Sequence, residues 1–557
     1  MLKPKSSDLF IVPFAKGIDH APQTDVSFDA LGAKAAGLVE MAGMFMPVPP
    51  GFVFPVAVGA QAIALTEAGD DGKTFNQQIR TCLEHGLEGL QHQSGRRFGS
   101  GKDPLLVSVR SGAAVSMPGM MDSVLNVGLT RSIAEEWVGN SDNSSFVWDN
   151  YRRSLQSHAQ VVLQMPADDF ELITEDALAE ARLEAVSEMP VELLEAVCVA
   201  FEETIEAAHP GFSDETAQHR LEKAVLSVFA SWNTKRAKRF RQMHGMDDAG
   251  GSAAIVQQMV YGNRDATSCT GVYFTRNPST GEDVPFGEYL PQAQGEEVVS
   301  GIRTPMELTE AARIRMVSDN PSMERSMPKA FDALIAAGRR LETERGDMQE
   351  IEFTVEAGTF YLLQTRSGKR SPKAALRMAV DMAEAGIITK QEALQRCNDE
   401  MLAPMLVNRL AVPDGTRPIV KGLPASPGAV SAPVVFTSEA AMDAKAVGQP
   451  AILVRTETSP SDVHGMDAAL AVLTSRGGMT SHAAVVARGM AKPCITAAMG
   501  LRIQADAGEC LYPGGMFSVG DVISIDGATG EVFLGEHPLQ AAQPEGALAT
   551  LLEWKKS

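Results

Sequence analysis

No two cysteines of this chain stand in a C-x-x-C spacing: Cys82, Cys198, Cys269, Cys397, Cys494 and Cys510 are scattered over 557 residues. Structural zinc and a redox dithiol are thereby excluded as organising features, and a reducing cytoplasm fits best. An excess of positive charge is lacking too. The formal charge of -21 is spread along the chain, which argues against nucleic acid or anionic membrane as partners and leaves room for local basic phosphate sites. No apolar run approaches the length of a membrane span, and residues 1–8 lack the apolar core of a signal peptide, so a cytoplasmic location is expected. Internal repeats and long low-complexity tracts are absent. What remains, 44% hydrophobic and 21% charged, is the composition of a globular protein long enough for several domains.

The pattern along the chain predicts an α/β, multidomain architecture. Residues 165–245 are rich in Ala, Glu and Leu at helical spacing, whereas 253–293 and 348–366 hold short β-rich runs separated by glycine turns. Residues 371–406 read as two amphipathic helices around Ala385-Gly386-Ile387, and Val412-Pro413-Asp414-Gly415 then breaks the pattern as a hinge. From Gly422 short strands and Gly/Pro turns predict a compact β/α domain. The expected division is 1–370 with a helical insert at about 165–245, a helical linker at 371–418, a small domain at 419–540, and a tail at 541–557.

Within the small domain, Arg476-Gly477-Gly478-Met479 leads into Thr480-Ser481-His482-Ala483-Ala484-Val485-Val486-Ala487-Arg488. The pattern places His482 at the mouth of an apolar helix behind a flexible glycine pair. The positive end of a helix disfavours a protonated imidazole and favours an attached phosphoryl group. A neutral imidazole can attack; an imidazolium cannot. The competing account is a Thr480 or Ser481 cap followed by an ordinary first-turn histidine.

A phosphohistidine needs a phosphoryl donor, and the first 370 residues offer a nucleotide site. Leu31-Gly32-Ala33-Lys34-Ala35-Ala36-Gly37-Leu38 sets Lys34 among small residues that let backbone approach a ligand. The alternating run Leu105-Leu106-Val107-Ser108-Val109-Arg110 delivers Arg110 at a strand end, where its planar fork suits phosphate oxygens or a structural ion pair. In Met348-Gln349-Glu350-Ile351-Glu352-Phe353, alternation throws Glu350 and Glu352 to one face, and a partner strand carrying Gln364 and Arg366 returns after Glu356-Ala357-Gly358-Thr359. Adjacent carboxylates repel unless cations intervene, and Mg2+ with ATP phosphates would supply them; a bland hairpin with a wet charged side is the alternative.

Residues 474–497 closely resemble the phosphohistidine signature of the phosphoenolpyruvate-utilising enzymes, and the earlier segments resemble the N-terminal ATP-grasp region of the pyruvate, phosphate dikinase family. The resemblance implies an ATP-grasp region, a swivelling phosphohistidine domain and Mg2+ as cofactor. It implies that His482 is the residue phosphorylated and that Arg110 acts in catalysis. Lys34, Arg110, Glu288, Glu352, Gln364 and Arg366 fall on nucleotide-site positions, and Glu350 and Glu352 on metal positions. The strand and hinge from Val256 to Gly262 would lie beside adenine. Thr480 matches a position that regulatory kinases phosphorylate in some members. Ser116-Met117-Pro118-Gly119-Met120-Met121-Asp122-Ser123 and Thr275-Arg276-Asn277-Pro278-Ser279-Thr280-Gly281-Glu282 resemble the members that use inorganic phosphate as co-substrate. This chain departs from the family where G-G-K-G-A-N-L is common and it has Gly32-Ala33-Lys34-Ala35-Ala36-Gly37-Leu38, and where Asp is commoner than Glu350.

The implied reaction is a dikinase half-reaction: His482 takes the β-phosphoryl group from Mg-ATP, phosphate accepts the outer phosphoryl group, and AMP and diphosphate leave. The family's barrel for pyruvate and phosphoenolpyruvate is expected to be missing from this chain or supplied separately. Two alternatives are a rifampin phosphotransferase-like enzyme with another acceptor, against which the short stretch between Arg366 and the small domain counts, and a non-catalytic ATP-binding regulator.

Overall fold

The computed structural model describes residues 11–16, 24–70, 72–113, 121–246, 250–300, 303–402, 409–413, 415–540 and 546–556. Residues 116–120 of the first phosphate-related segment, and Asp414 of the expected hinge, lie outside them. The chain divides into two compact units: residues 1–260 with 361–364, and residues 261–360 with 365–557. The α/β expectation is met in both.

In the first unit the strands Val12–Phe14, Gly51–Phe54, Ala253–Gln258, Val107–Gly112 and Ser123–Val127 form an antiparallel sheet in that spatial order. Strand Ala253–Gln258 sits centrally although some 140 residues of mostly helical chain separate it in sequence from its neighbour Val107–Gly112. Its first five residues are buried, so Ala253, Ala254, Ile255 and Val256 read as a continuous run rather than an alternation. Helices begin earlier than residue 165: Arg131–Val138 and Ser144–Val161 precede Asp168–Ala181, Val191–Ala208 and Ala217–Ala230. Helix Ala217–Ala230 packs on the Arg110 strand, and Phe229 meets Phe54 edge to face at 6.1 Å.

The second unit holds two larger sheets. One is ordered Thr359–Ser367, Gln349–Glu356, Cys269–Phe274, Phe286–Pro291, Met306–Glu307. Helix Pro328–Arg345 covers strand Gln349–Glu356. Its Gly338 admits the Tyr273 ring, which a Cβ would strike at 2.4 Å. Helices Pro372–Glu384 and Lys390–Arg396, joined through Gly386 at φ +74°, share a core with Ala547–Trp554, whose Leu548 and Leu551 are buried there.

The other sheet, of eight strands, contains a parallel core: Ala429–Val435, Ile452–Arg455, Ala471–Thr474 and Cys494–Thr496. Parallel neighbours require crossovers, here the helices Ser438–Ala446, Val463–Ala468 and His482–Gly489. The loops leaving the carboxyl ends of two adjacent strands therefore rise side by side. One carries Thr458, the other His482. The six cysteines are free.

Gly32 ties the Lys34 helix to the Arg110 strand. It adopts φ +78°, and a Cβ would lie 2.6 Å from the Gly112 carbonyl carbon, while Ala33 N donates to Ala113 O at 3.0 Å. Gly32→Ala should therefore destabilise the protein by about 2 kcal/mol or more. Gly43→Ala, with nothing within 4 Å of its Cβ, should be neutral or stabilising by up to about 1 kcal/mol. Denaturant unfolding of both variants checks the contrast.

Candidate active site

In the first unit, strand Val107–Gly112 sets Arg110 so that its guanidinium donates to Gln364 Oε1 at 3.2 Å. Lys34 is the second residue of helix Ala33–Gly43, whose N-cap Gly32 offers no side chain to cap it. Its ammonium starts from a helix end with unspent N–H groups, which favours anions. The structure thus brings Arg110 to Gln364, and brings the Lys34 helix to the end of the Arg110 strand.

In the second unit, register places the carboxylates. Val272 lies opposite Glu288 on one side and Glu352 on the other; Phe274 lies opposite Glu350. Paired residues, and residues two apart, share a face. Glu288, Glu350 and Glu352 therefore share one face of this sheet, along with Phe274 and Phe286, whose ring centroids are 6.2 Å apart. The Arg366 guanidinium donates to Glu350 Oε1 at 2.5 Å. The second oxygen, Oε2, is buried with no partner. Burial alone would lower the Arg366 pKa, but Glu350 and, behind it, Glu352 raise it above its ordinary value. Among the described residues no group of three or more His, Cys, Asp or Glu side chains gathers as a metal cage. Two carboxylates on one sheet face, one with an oxygen that has no partner among the described residues, are a donor set that could hold a Mg2+.

Glu288 is directed to protein rather than to solvent. Only 9% exposed, it accepts Met479 N–H at 2.8 Å and the Thr480 hydroxyl at 2.9 Å. Burial pushes its carboxyl above the usual range, opposed first by these two hydrogen bonds and then by the Arg488 charge. Gly478 makes the approach possible, since a Cβ there would fall 2.4 Å from both carboxylate oxygens. On the other side of the loop Arg488, fully buried, donates to Met479 O at 2.6 Å and Ala425 O at 2.9 Å, and its guanidinium lies 6.0 Å from the Phe274 ring centre. Burial lowers its pKa to about 10 against the opposing pull of Glu350, Cys494 and Glu288. Met479 is thus held by its N–H and its carbonyl.

That grip fixes the entry to helix His482–Gly489. His482 is its first residue, half-buried, with Nδ1 3.0 Å from Thr458 Oγ1. Burial lowers its pKa; Asp462 pulls upward and Lys369 downward. Asp462 is itself fastened by Ser438 Oγ at 2.6 Å and Ser459 N at 2.9 Å, with Arg455 at 3.5 Å. The segment at 275–282 is tied into the second unit by its own side chains. Arg276 pairs with Glu342 at 2.8 Å with both 2% exposed, and Asn277 Oδ1 accepts Ser279 N at 2.9 Å and Thr280 N at 3.1 Å.

Sequence reasoning assigned no role to Arg488 or Thr458. A basic residue in a last helical turn reads as solvated, and only the fold shows it buried; only adjacent crossovers bring Thr458 to the ring.

Because burial lowers the His482 pKa from its ordinary value, the imidazole is predominantly neutral at pH 7. An NMR titration should give a midpoint under 6.5, moved lower by Asp462→Asn and higher by Lys369→Met. A midpoint at or above 6.5 would contradict the burial argument.

The model described as "Pyruvate phosphate dikinase, AMP/ATP-binding domain" matches residues 72–329, which include Arg110 and Glu288. The model described as "PEP-utilising enzyme, mobile domain" matches residues 429–530, which include His482. Pyruvate, phosphate dikinase of Rhizobium meliloti (strain 1021) is 43% identical over 527 residues, 94% of this chain and 58% of that protein. The Clostridium symbiosum protein of the same name is 40% identical over 530 residues, with the same shares. Chloroplastic pyruvate, phosphate dikinase 1 of Zea mays is 40% identical over 546 residues, 97% of this chain and 55% of that protein. The chain thus spans little more than half the length of these relatives. Through an AMP/ATP-binding module and a mobile module on one polypeptide, this chain is similar to the pyruvate, phosphate dikinases over nearly its whole length and little more than half of theirs.

Proposed function

We propose that this protein is an ATP-dependent phosphotransferase whose phosphoryl carrier is His482. The observation that carries the reading is a half-buried imidazole at a helix start, its Nδ1 engaged by Thr458 and its protonation disfavoured by burial. With the Nδ1 proton donated to Thr458 Oγ1, the Nε2 lone pair is free to attack the β-phosphorus of ATP. The bond to the bridging oxygen of the α-phosphate breaks and AMP leaves. The outer phosphoryl group of the resulting pyrophosphohistidine passes to inorganic phosphate, leaving diphosphate and phospho-His482. Lys34, Arg110 and Arg366 would offset charge on the phosphate oxygens, and Gln364 would orient Arg110. Glu350 and Glu352 would hold Mg2+, which when bound neutralises phosphate charge. Glu288 would serve the nucleotide site through the loop it grips.

In this reading residues 1–370 handle nucleotide, with a helical insert at about 165–245. Residues 371–418 link them to the 419–540 domain, and 541–557 form a tail. The phosphoryl group would go on to pyruvate, in keeping with the relatives' names, at a domain apart from those described. A kinase acting on Thr480 would set a phosphate against the buried Glu288 carboxylate, so modification there would loosen the loop.

Transfer of label from β-32P-ATP tests the reading. With Mg2+ and phosphate, the wild type should acquire alkali-stable, acid-labile label and release AMP; His482→Ala should acquire none. Arg110→Ala should label at least about 100-fold more slowly, with an unfolding midpoint close to wild type. ATP binding without label on the wild type would refute phosphotransfer and favour a regulatory role.

A further inference from the structure

Ser481 stands at the N-cap of the His482 helix, where serine ordinarily accepts a hydrogen bond from a first-turn N–H. It makes no such bond. Its residue is 8% exposed, and its hydroxyl is buried with no hydrogen-bond partner among the described residues. A buried hydroxyl left unpaired is costly, and so are uncapped N–H groups at a helix start. Both are left unspent at one place, beside the histidine.

That place is a small cleft lined by His482, Ser481, Thr458, Arg476, Gly477 and Glu457. Gly477 adopts φ +94°, and a Cβ there would stand 2.9 Å from Ser481 Cβ and 3.0 Å from its Oγ. Any side chain at 477 would crowd the hydroxyl. The Arg476 guanidinium is exposed on the rim and forms no ion pair among the described residues. Glu457 is also exposed there, where water screens its charge.

We propose that Ser481 Oγ, the uncapped N–H groups of the helix start and Arg476 form a receptacle for the phosphoryl oxygens carried by His482, and that Gly477 keeps it open. This rests on the phosphohistidine reading and names the groups that stabilise the phosphorylated state. The covalent step is unchanged. Free enzyme, ATP and phosphate exchange with phosphoenzyme, AMP and diphosphate, and the receptacle shifts that equilibrium toward phosphoenzyme.

The test measures the equilibrium constant, by titrating labelled phosphoenzyme with AMP and diphosphate in wild type, Ser481→Ala, Ser481→Thr, Arg476→Ala and Gly477→Ala. An equilibrium constant is insensitive to a merely slower enzyme. Ser481→Ala should shift it about tenfold toward free enzyme, the effect of losing one hydrogen bond to a charged oxygen. Ser481→Thr should restore it, and Arg476→Ala and Gly477→Ala should shift it in the same direction as Ser481→Ala. The Ser481→Ala unfolding midpoint should hold or rise, because no cap bond is lost and an unpaired buried hydroxyl is removed. An unchanged constant in Ser481→Ala overturns the receptacle, whatever happens to its stability. Absence of label on the wild type overturns the phosphohistidine reading and the receptacle with it, and so is distinguished from failure of the receptacle alone.

Discussion

A carboxylate taken out of water must be met by hydrogen bonds where no cation pairs with it, and Glu288, without an ion pair among the described residues, is met by two groups of one loop, the Met479 amide and the Thr480 hydroxyl. Everything near His482 is arranged around that requirement. Gly478 lacks a side chain because the carboxylate occupies the space a Cβ would take. Arg488 secures the Met479 carbonyl from the other side. The loop is left with one shape, and that shape delivers the imidazole to Thr458.

Sheet topology explains why groups so far apart in sequence converge. Antiparallel register puts Glu288, Glu350 and Glu352 on one face, with Val272 spacing two of them across the sheet. Parallel strands in the eight-stranded sheet put the Thr458 and His482 loops at the same end of two neighbouring strands. The chemistry therefore lies at strand ends and on one sheet face, both held by continuous hydrogen-bonded ladders. Buried positions along the same strands, such as Ile351 and Phe353, supply the packing that keeps those faces rigid.

Features with local causes were legible in the sequence. Period-two alternation is enough to pair Glu350 with Glu352, and the turn residues Ala357 and Gly358, both at positive φ, mark the hairpin. The glycine pair before Thr480-Ser481-His482 announces a helix start. Features set by long-range packing were not legible. Glu288 meets its partners 191 and 192 residues away, and its acidic character suits a nucleotide site equally well. Arg276, in a segment that resembles a phosphate-related motif, finds Glu342 66 residues on. The helices Arg131–Val138 and Ser144–Val161 are as amphipathic as those after residue 165, but their Trp, Tyr, Arg and His depart from the Ala, Glu and Leu composition that marks the 165–245 stretch.

The account's central claim is that the loop presents His482 with Nδ1 occupied by Thr458 and Nε2 free to carry the phosphoryl group. The direct measurement is 31P–15N correlation NMR of the phosphoenzyme made from 15N-histidine-labelled protein and Mg-ATP. Coupling of phosphorus to Nε2 of His482 is the predicted result. Coupling to Nδ1, or to a different histidine, would contradict it.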